Sequence, residues 1–161
     1  MLSAFVNLIM SITIRPATFD DLPVLLRFEQ GVISAERPFD PTLKKDTHYY
    51  DLKEMINSQD IHLVVAVSGD EIIGSGYARI EKAKHYLQHE QHSYLGFMYT
   101  EPAHRGKGVN KMIVETLIQW SLSRKITELR LEVYYLNEAA IRAYEKTGFK
   151  KHLIEMRMGI D

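Results

Sequence analysis

The stretch EPAHRGKGVNKMI, residues 101–113, sets Gly106 and Gly108 among the cations Arg105 and Lys107, immediately before an apolar helical run. Glycine opens backbone angles that other residues avoid and removes side chains that would block a close ligand. The helix that follows would offer unpaired N–H groups and the positive end of its dipole. This combination is an anion site, with a phosphate or pyrophosphate as its natural occupant. Two phosphate loops are excluded. Lys107 is followed by Gly108 and Val109 rather than by Ser or Thr, so a P-loop would lack its magnesium ligand. A dinucleotide fingerprint needs a third glycine where Lys111 stands. An acyl-coenzyme A loop and a simple tight turn both remain open on these residues alone.

The chain has 161 residues, enough for one domain with a substantial core. Its 20 Lys and Arg nearly balance 21 Asp and Glu, so no broad basic field attracts nucleic acid or an anionic membrane. No cysteine is present, which excludes disulfides, thiolate metal sites and cysteine nucleophiles and is compatible with a cytoplasmic setting. No apolar run reaches the roughly 18 residues of a membrane span. The opening MLSAFVNLIM lacks the pattern of a signal peptide. Residues 1–9 are expected to be an extension without fixed order, and 10–161 a single domain.

Alternation predicts strands in SITIRPA, IHLVVAV, EIIGSGYARIE, SYLGFMYTE, ITELRLEVYY and FKKHLIEMRMGI. Helical spacing predicts helices after Thr18, over HYYDLKEMINS, over VNKMIVETLIQWSLSR and over NEAAIRAYEKTG. Asn137 and Gly148 suit the two ends of the last helix. Hairpins followed by alternating strands and helices imply an α/β (α+β) domain with a mixed, mostly antiparallel sheet and helices on both faces.

With YTEPAHRGKGVNKMI followed by LEVYYLNEAAIRAYEKTGF, the sequence resembles the GNAT superfamily of acetyl-CoA-dependent N-acetyltransferases. ITIRPATFDDLPVLLRF and LVVAVSGDEIIGSGYARI fit as well, so the resemblance runs from about Ser11 onward. Ala103 departs from the family's frequent Gln or Arg at that position. The resemblance implies acetyl-CoA as co-substrate, no metal, and direct transfer of acetyl to a primary amine of a small molecule or peptide. It assigns the pyrophosphate to backbone N–H groups of His104, Arg105, Gly106, Lys107, Gly108 and Val109, and the pantetheine arm to the backbone of Met98, Tyr99 and Thr100. Asn137 is implied beside the thioester, and Tyr144 as the acid that protonates the departing thiolate. A phenol of pKa about 10 is protonated at pH 7 and can donate. Glu132 stands where ribosomal-protein N-terminal acetyltransferases carry a base. Each of these residues also has a plain structural reading: a tight turn, strand packing, a helix cap, a core tyrosine, an outward strand glutamate.

Glu36, Phe39, Tyr50 and Glu81 are candidate acceptor residues, since their segments fall where the superfamily places its acceptor-binding elements. Glu36, Asp40, Glu81, Tyr94 and Tyr134 are reserves for the base, since their segments fall at the rim of the acceptor cleft. His85, His89 and His92 would share one helical face and suggest a metal site, but a hydrated histidine-rich loop accounts for them without one. The expected partners are an amine substrate and a second copy of the chain, with no membrane or nucleic acid. A regulatory acyl-CoA-binding protein and an interaction module using the Arg105–Lys107 patch are the alternative functions.

Overall fold

In IHLVVAVS every residue from Leu63 to Ala66 is buried, because this strand has a helical layer on each side. The computed structural model describes residues 11–160, so the expected extension at 1–9 lies outside the described residues. Five strands form one sheet in the order β1 (Ile12–Pro16), β2 (Ile61–Ser68), β3 (Glu71–Lys82), β4 (Gln91–Thr100), β5 (Leu129–Arg130). The first three pairings are antiparallel, and β4 with β5 is parallel. Helices α1 (Leu22–Glu36) and α2 (Leu52–Asn57) cover one face with Leu25, Phe28, Leu52 and Met55 against Leu63, Val65, Tyr77 and Phe97. Helix α3 (Val109–Ser123) covers the other with Val109, Ile113 and Leu117 against Val64, Ala66, Ala78 and Leu95. Successive β2 residues thus feed opposite cores, as a period of two requires. Among the described residues no helix is long and apolar enough to cross a membrane.

The entry to α1 is fixed by Thr18 and Asp21, which form a capping box. Asp21 also receives two hydrogen bonds from Arg15, at 2.8 and 2.9 Å. Glu29 lies in the same helix, wholly buried, and accepts from the Tyr49 and Tyr50 amides at 2.6 and 2.9 Å and pairs with His48 Nδ1 at 2.8 Å. It pins the chain between α1 and α2 to the helix, so that Tyr49 and Tyr50 are carried on fixed backbone.

Two expected strands differ. The strand over ITELRLEVYY is paired only at Leu129 and Arg130, and FKKHLIEMRMGI joins no ladder among the described residues. Between them runs α4 (Glu138–Lys146), which has no buried residue. Alternation in a sequence specifies which side chains share a face; a ladder also needs a neighbouring strand, and neither segment finds one here.

Candidate active site

The loop before α3 begins as a 3-10 turn, Pro102–His104. The amides of His104 and Arg105 are spent inside it, donating to Glu101 and Pro102 carbonyls at 2.9 and 3.3 Å. Free donors therefore begin at Gly106, two residues later than the sequence suggests. Gly106 and Gly108 have φ of +76° and +81°, the left-handed region that an L side chain enters only with strain. The amides of Gly106, Lys107 and Gly108 have no protein acceptor among the described residues. Those of Val109, Asn110 and Lys111 are the orphan donors of the first helical turn. These six consecutive residues form a positively polarised rim, and side chains added at either glycine would meet no protein atom within 4 Å. A diphosphate matches donors so arranged. Val109 itself is buried in the core. His104 faces Glu71 at 3.7 Å, and Arg105 donates from Nε to the Thr100 carbonyl at 3.1 Å.

Strand β4 leads to this loop and carries a bulge. Ser75 pairs with Tyr99 and Tyr77 with Gly96, so Gly76 alone opposes Phe97 and Met98. Phe97 has φ +54°, an outlier for a bulky residue that stores on the order of 1–3 kcal/mol. Three contacts hold it. Its carbonyl accepts from Ser75 Oγ at 3.0 Å, its ring is buried, and Tyr50 lies on that ring at 4.6 Å. On the far side of the sheet, a Cβ on Gly76 would fall 2.6 Å from Ile113 and 2.8 Å from Met98 Sδ. A bulge leaves one residue outside the ladder. From Leu95 to Thr100 the edge of β4 facing β5 is also unpaired, because β5 contacts only Ser93 and Tyr94. An open strand edge with a displaced backbone thus runs straight to the anion rim. The side chains of Met98 and Tyr99 are not part of this edge. Met98 packs toward α3, and Tyr99 stacks at 4.6 Å on Phe28 under α1.

Several phenols lie in the field of Glu36, the last residue of α1. Its carboxylate accepts from the Tyr49 hydroxyl at 2.8 Å, and burial raises its pKa against the opposing effect of that bond. The Glu36 charge is felt by Tyr50, Tyr134 and Tyr144 as well. Tyr144 is pushed up to about 12, by burial first and by Glu36 second, and so is fully protonated at neutral pH. Its ring meets Phe149 edge-on at 6.0 Å. Asn137 accepts from the Ala140 amide at 3.3 Å and caps α4. Phe39 stacks on Tyr134 at 5.8 Å. Glu132 is exposed in the stretch after β5; its charge acts on Tyr77, Tyr94 and Tyr134. Tyr134 is therefore within the fields of both carboxylates.

Some candidates are engaged elsewhere. Glu81 accepts from Arg79 Nε at 2.9 Å and faces His92 at 3.4 Å. Asp40 is bound by Thr42 and by Arg157, which hold its pKa down to about 2. His85, His89 and His92 do not share a helical face, because His85 and His89 lie in the loop between β3 and β4 and His92 lies in β4. His89 pairs with Glu128 at 3.0 Å, and His85 meets Tyr86 edge-on. Glu29 was missed as a residue that shapes the site. Its signal in the sequence is an acid four residues after Leu25 and four before Ile33, on the apolar stripe of α1.

Residues 30–149 match the model of the acetyltransferase (GNAT) family. A streptothricin acetyltransferase from Escherichia coli is 44% identical over 46 residues, a match that spans 29% of this chain and only 26% of that protein. Among solved structures, a tetramutant protein from Bacillus halodurans superposes with a TM-score of 0.81 at 19% identity, covering 92% of this chain and 99% of the other. A Clostridium acetobutylicum protein described as a predicted acetyltransferase with acetyl-CoA gives 0.70 at 17%, covering 92% and 96%. An aminoglycoside 6′-N-acetyltransferase from Acinetobacter haemolyticus gives 0.70 at 20%, covering 92% and 99%. At these identities the superpositions establish a shared fold.

Proposed function

This chain belongs to the GNAT acetyltransferase family, and from that premise we propose that it moves the acetyl group of acetyl-CoA directly onto a primary amine of a small molecule or peptide. The single observation that carries the reading is the continuity of an unpaired β4 edge with six consecutive donor residues from Gly106 to Lys111. The residues fit the co-substrate: an extended arm can lie along the strand edge, and a diphosphate can sit on the amides at the start of α3. Acetyl-CoA supplies an activated acyl thioester.

In this reading the bulged backbone at Phe97 and Met98 offers an N–H to the developing oxyanion. Its pre-set geometry, locked by Ser75 and Tyr50, requires no rearrangement when charge appears. Tyr144 donates from its hydroxyl toward the leaving sulfur. A thiol titrates near 8.5 and this phenol near 12, so full transfer from the phenol would be uphill by about 5 kcal/mol. Tyr144 therefore acts as a hydrogen-bond donor that shifts its proton late, as the sulfur takes up charge.

The attacking amine must shed a proton, since a lysine-like amine is mostly charged at pH 7. We assign that proton to Glu132, and assign Glu36 to hold the cationic group among Tyr49, Tyr50 and Tyr134. Phe39 stacks behind Tyr134 and braces that wall. Two carboxylates that both act on Tyr134 favour a substrate with more than one positive charge. The aminoglycoside 6′-N-acetyltransferase neighbour is consistent with such a small molecule.

Thiol release from acetyl-CoA over a panel of polyamines, aminoglycosides, amino acids and peptides tests this. Turnover should favour multiply charged amines, and Glu36→Gln should raise KM for them by about tenfold while leaving kcat within twofold, the signature of lost uniform binding. Glu132→Gln should lower kcat/KM by about 100-fold with acetyl-CoA binding unchanged. An unchanged kcat/KM would remove Glu132 as the base, and failure to release thiol with any amine on the panel would remove the proposed reaction.

A further inference from the structure

Three acids are buried among the described residues: Asp21, Glu29 and Asp40. Asp21 is bound by Arg15 and Asp40 by Arg157. Glu29, whose side chain has no exposed surface, is matched to no guanidinium or ammonium among the described residues. It stands on the apolar stripe of α1, one turn after Leu25 and one before Ile33. An apolar residue there would be buried without the desolvation cost of a carboxylate. What the carboxylate does for the fold must therefore be sought in the bonds its oxygens make.

Residues 38–51 join α1 to α2 and form turns but no strand ladder among the described residues. Their backbone groups need partners from elsewhere, and side chains of α1 and its cap supply them. Arg37, just past the end of the helix, donates to the Lys44 and Lys45 carbonyls at 2.9 and 2.6 Å. Gln30 donates to the Thr47 carbonyl at 3.2 Å. Glu29 takes the donors. Its Oε1 accepts from both the Tyr49 and Tyr50 amides at 2.6 and 2.9 Å, and its Oε2 meets His48 Nδ1 at 2.8 Å. The His48 side chain is 70% exposed, so the firm half of this junction is Oε1 with its two amides.

Each amide leads to one half of the site. The Tyr49 side chain returns to the same helix, where its hydroxyl donates to Glu36 at 2.8 Å. Positions 29 and 36 are two turns apart, about 10.5 Å along the axis, so one rigid element holds Tyr49 at both ends. The Tyr50 ring lies on Phe97 at 4.6 Å and meets Tyr77 edge-on at 5.8 Å. Phe97 is the left-handed residue of the β4 bulge. One buried carboxylate thus stands between the acid assigned to the acceptor's charge and the backbone assigned to the oxyanion.

We propose that Glu29 is a positioning residue for both halves of the transfer: its Oε1 fixes the Tyr49–Tyr50 backbone, through Tyr50 the Phe97 bulge, and through Tyr49 the Glu36 carboxylate. The inference rests on the acetyl transfer proposed above. A fully satisfied buried polar group rigidifies its surroundings, and misplacing a reacting group by about 1 Å can lower a rate about 100-fold. Glu29 acts through two tyrosines, so the place of its oxygen matters and its charge does not. Glutamine keeps that oxygen in place. Its amide nitrogen replaces Oε2 and donates to His48 Nδ1 once the imidazole carries its proton on Nε2. Aspartate keeps the charge but withdraws both oxygens by one methylene.

The order of these two variants is the test. Glu29→Gln should keep kcat and the amine KM within about threefold of the natural chain. Glu29→Asp should lower kcat at least about tenfold and raise the amine KM at least about threefold. Its affinity for acetyl-CoA by calorimetry should stay within about twofold, because α3 carries the Gly106–Lys111 rim. Leu25→Ala, in the same helix and core, should lower the urea midpoint yet leave kcat and KM within about twofold. A Glu29→Asp enzyme more active than Glu29→Gln overturns the proposal, and so does a Leu25→Ala enzyme as impaired as Glu29→Asp. Hydrogen exchange gives a readout that needs no turnover. The Tyr49 and Tyr50 amides should be protected in the natural chain and in Glu29→Gln, and exchange at least about tenfold faster in Glu29→Asp. Equal exchange in all three overturns the proposal. If the natural chain releases no thiol with any amine, acetyl transfer is what fails, and the exchange result still decides whether Glu29 holds the segment. If Glu29→Asp does not fold, the natural chain decides: both amides should exchange as slowly as that of buried Phe28 in α1, and faster exchange overturns the proposal.

Discussion

Val64, Val65 and Ala66 in β2 are wholly out of water, whereas after Ile126 no described residue is buried. The first region has a helix layer on each face and pairs strand to strand over long registers. The second has a two-residue strand, an exposed helix and an unpaired tail, yet it carries Tyr144, Asn137 and Glu132. The contrast separates two tasks. In the proposed reaction the buried region holds a bulge at Phe97 and a rim at Gly106–Lys111 in one geometry, because both would act through backbone that cannot adjust. The C-terminal region contributes side chains whose reach tolerates movement, and its low burial makes it the part that opens first.

The largest expected effect lies in the buried region. Ile113→Ala should lower stability by about 4 kcal/mol in urea denaturation, since the side chain is enclosed and its neighbours cannot collapse into the void. Ile141→Ala in α4 should cost less than about 1 kcal/mol. Equal losses would erase the contrast. The next effect is catalytic. Tyr144→Phe should cut kcat by about 100-fold, the lower end of general acid catalysis, with little change in stability, because the hydroxyl has no hydrogen-bond partner among the described residues. A large fall in Tm would instead make Tyr144 a structural residue.

A smaller effect sharpens the comparison through pH. Hydrogen bonds from Arg15 hold the Asp21 pKa below the usual carboxylate range. A group with a lowered folded pKa contributes stability that is fully present above about pH 4 and is lost as pH falls through the folded value. Arg15 is 42% exposed, so the contribution is about 1 kcal/mol after screening. Asp21→Asn should therefore lower Tm at pH 7 by a few degrees, and by progressively less as pH falls through the lowered folded value. The smallest effect belongs to the C-terminal region, where the exposed pair Arg142–Glu138 spans one helical turn. Removing it should change stability by no more than about 0.5 kcal/mol.

The long amphipathic helix α3, the β2–β3 hairpin and the Asn137 cap were legible because each rests on local spacing. So was the glycine loop, whose two left-handed turns need glycine wherever they occur. The donor boundary at Gly106 was not, because it depends on a 3-10 turn closing on Glu101 and Pro102. The left-handed Phe97 could not be read, since nothing in its residue type favours that angle and only Ser75, Tyr50 and the core impose it. Nor could the convergence on Glu36 of tyrosines from distant parts of the chain. The strand pattern after Ile126 was legible as a pattern, but pairing depends on a neighbour, and among the described residues it stops at Arg130.

The central claim is that the unpaired amides from Gly106 to Lys111 hold the acyl donor, and calorimetric titration of acetyl-CoA into the natural chain and into Gly108→Val tests it most directly. The account predicts one site per chain, weakened at least about tenfold, or ~1.4 kcal/mol, by a β-branched residue forced to φ +81°. Absence of binding to the natural chain, or equal affinity in a folded variant, would contradict it.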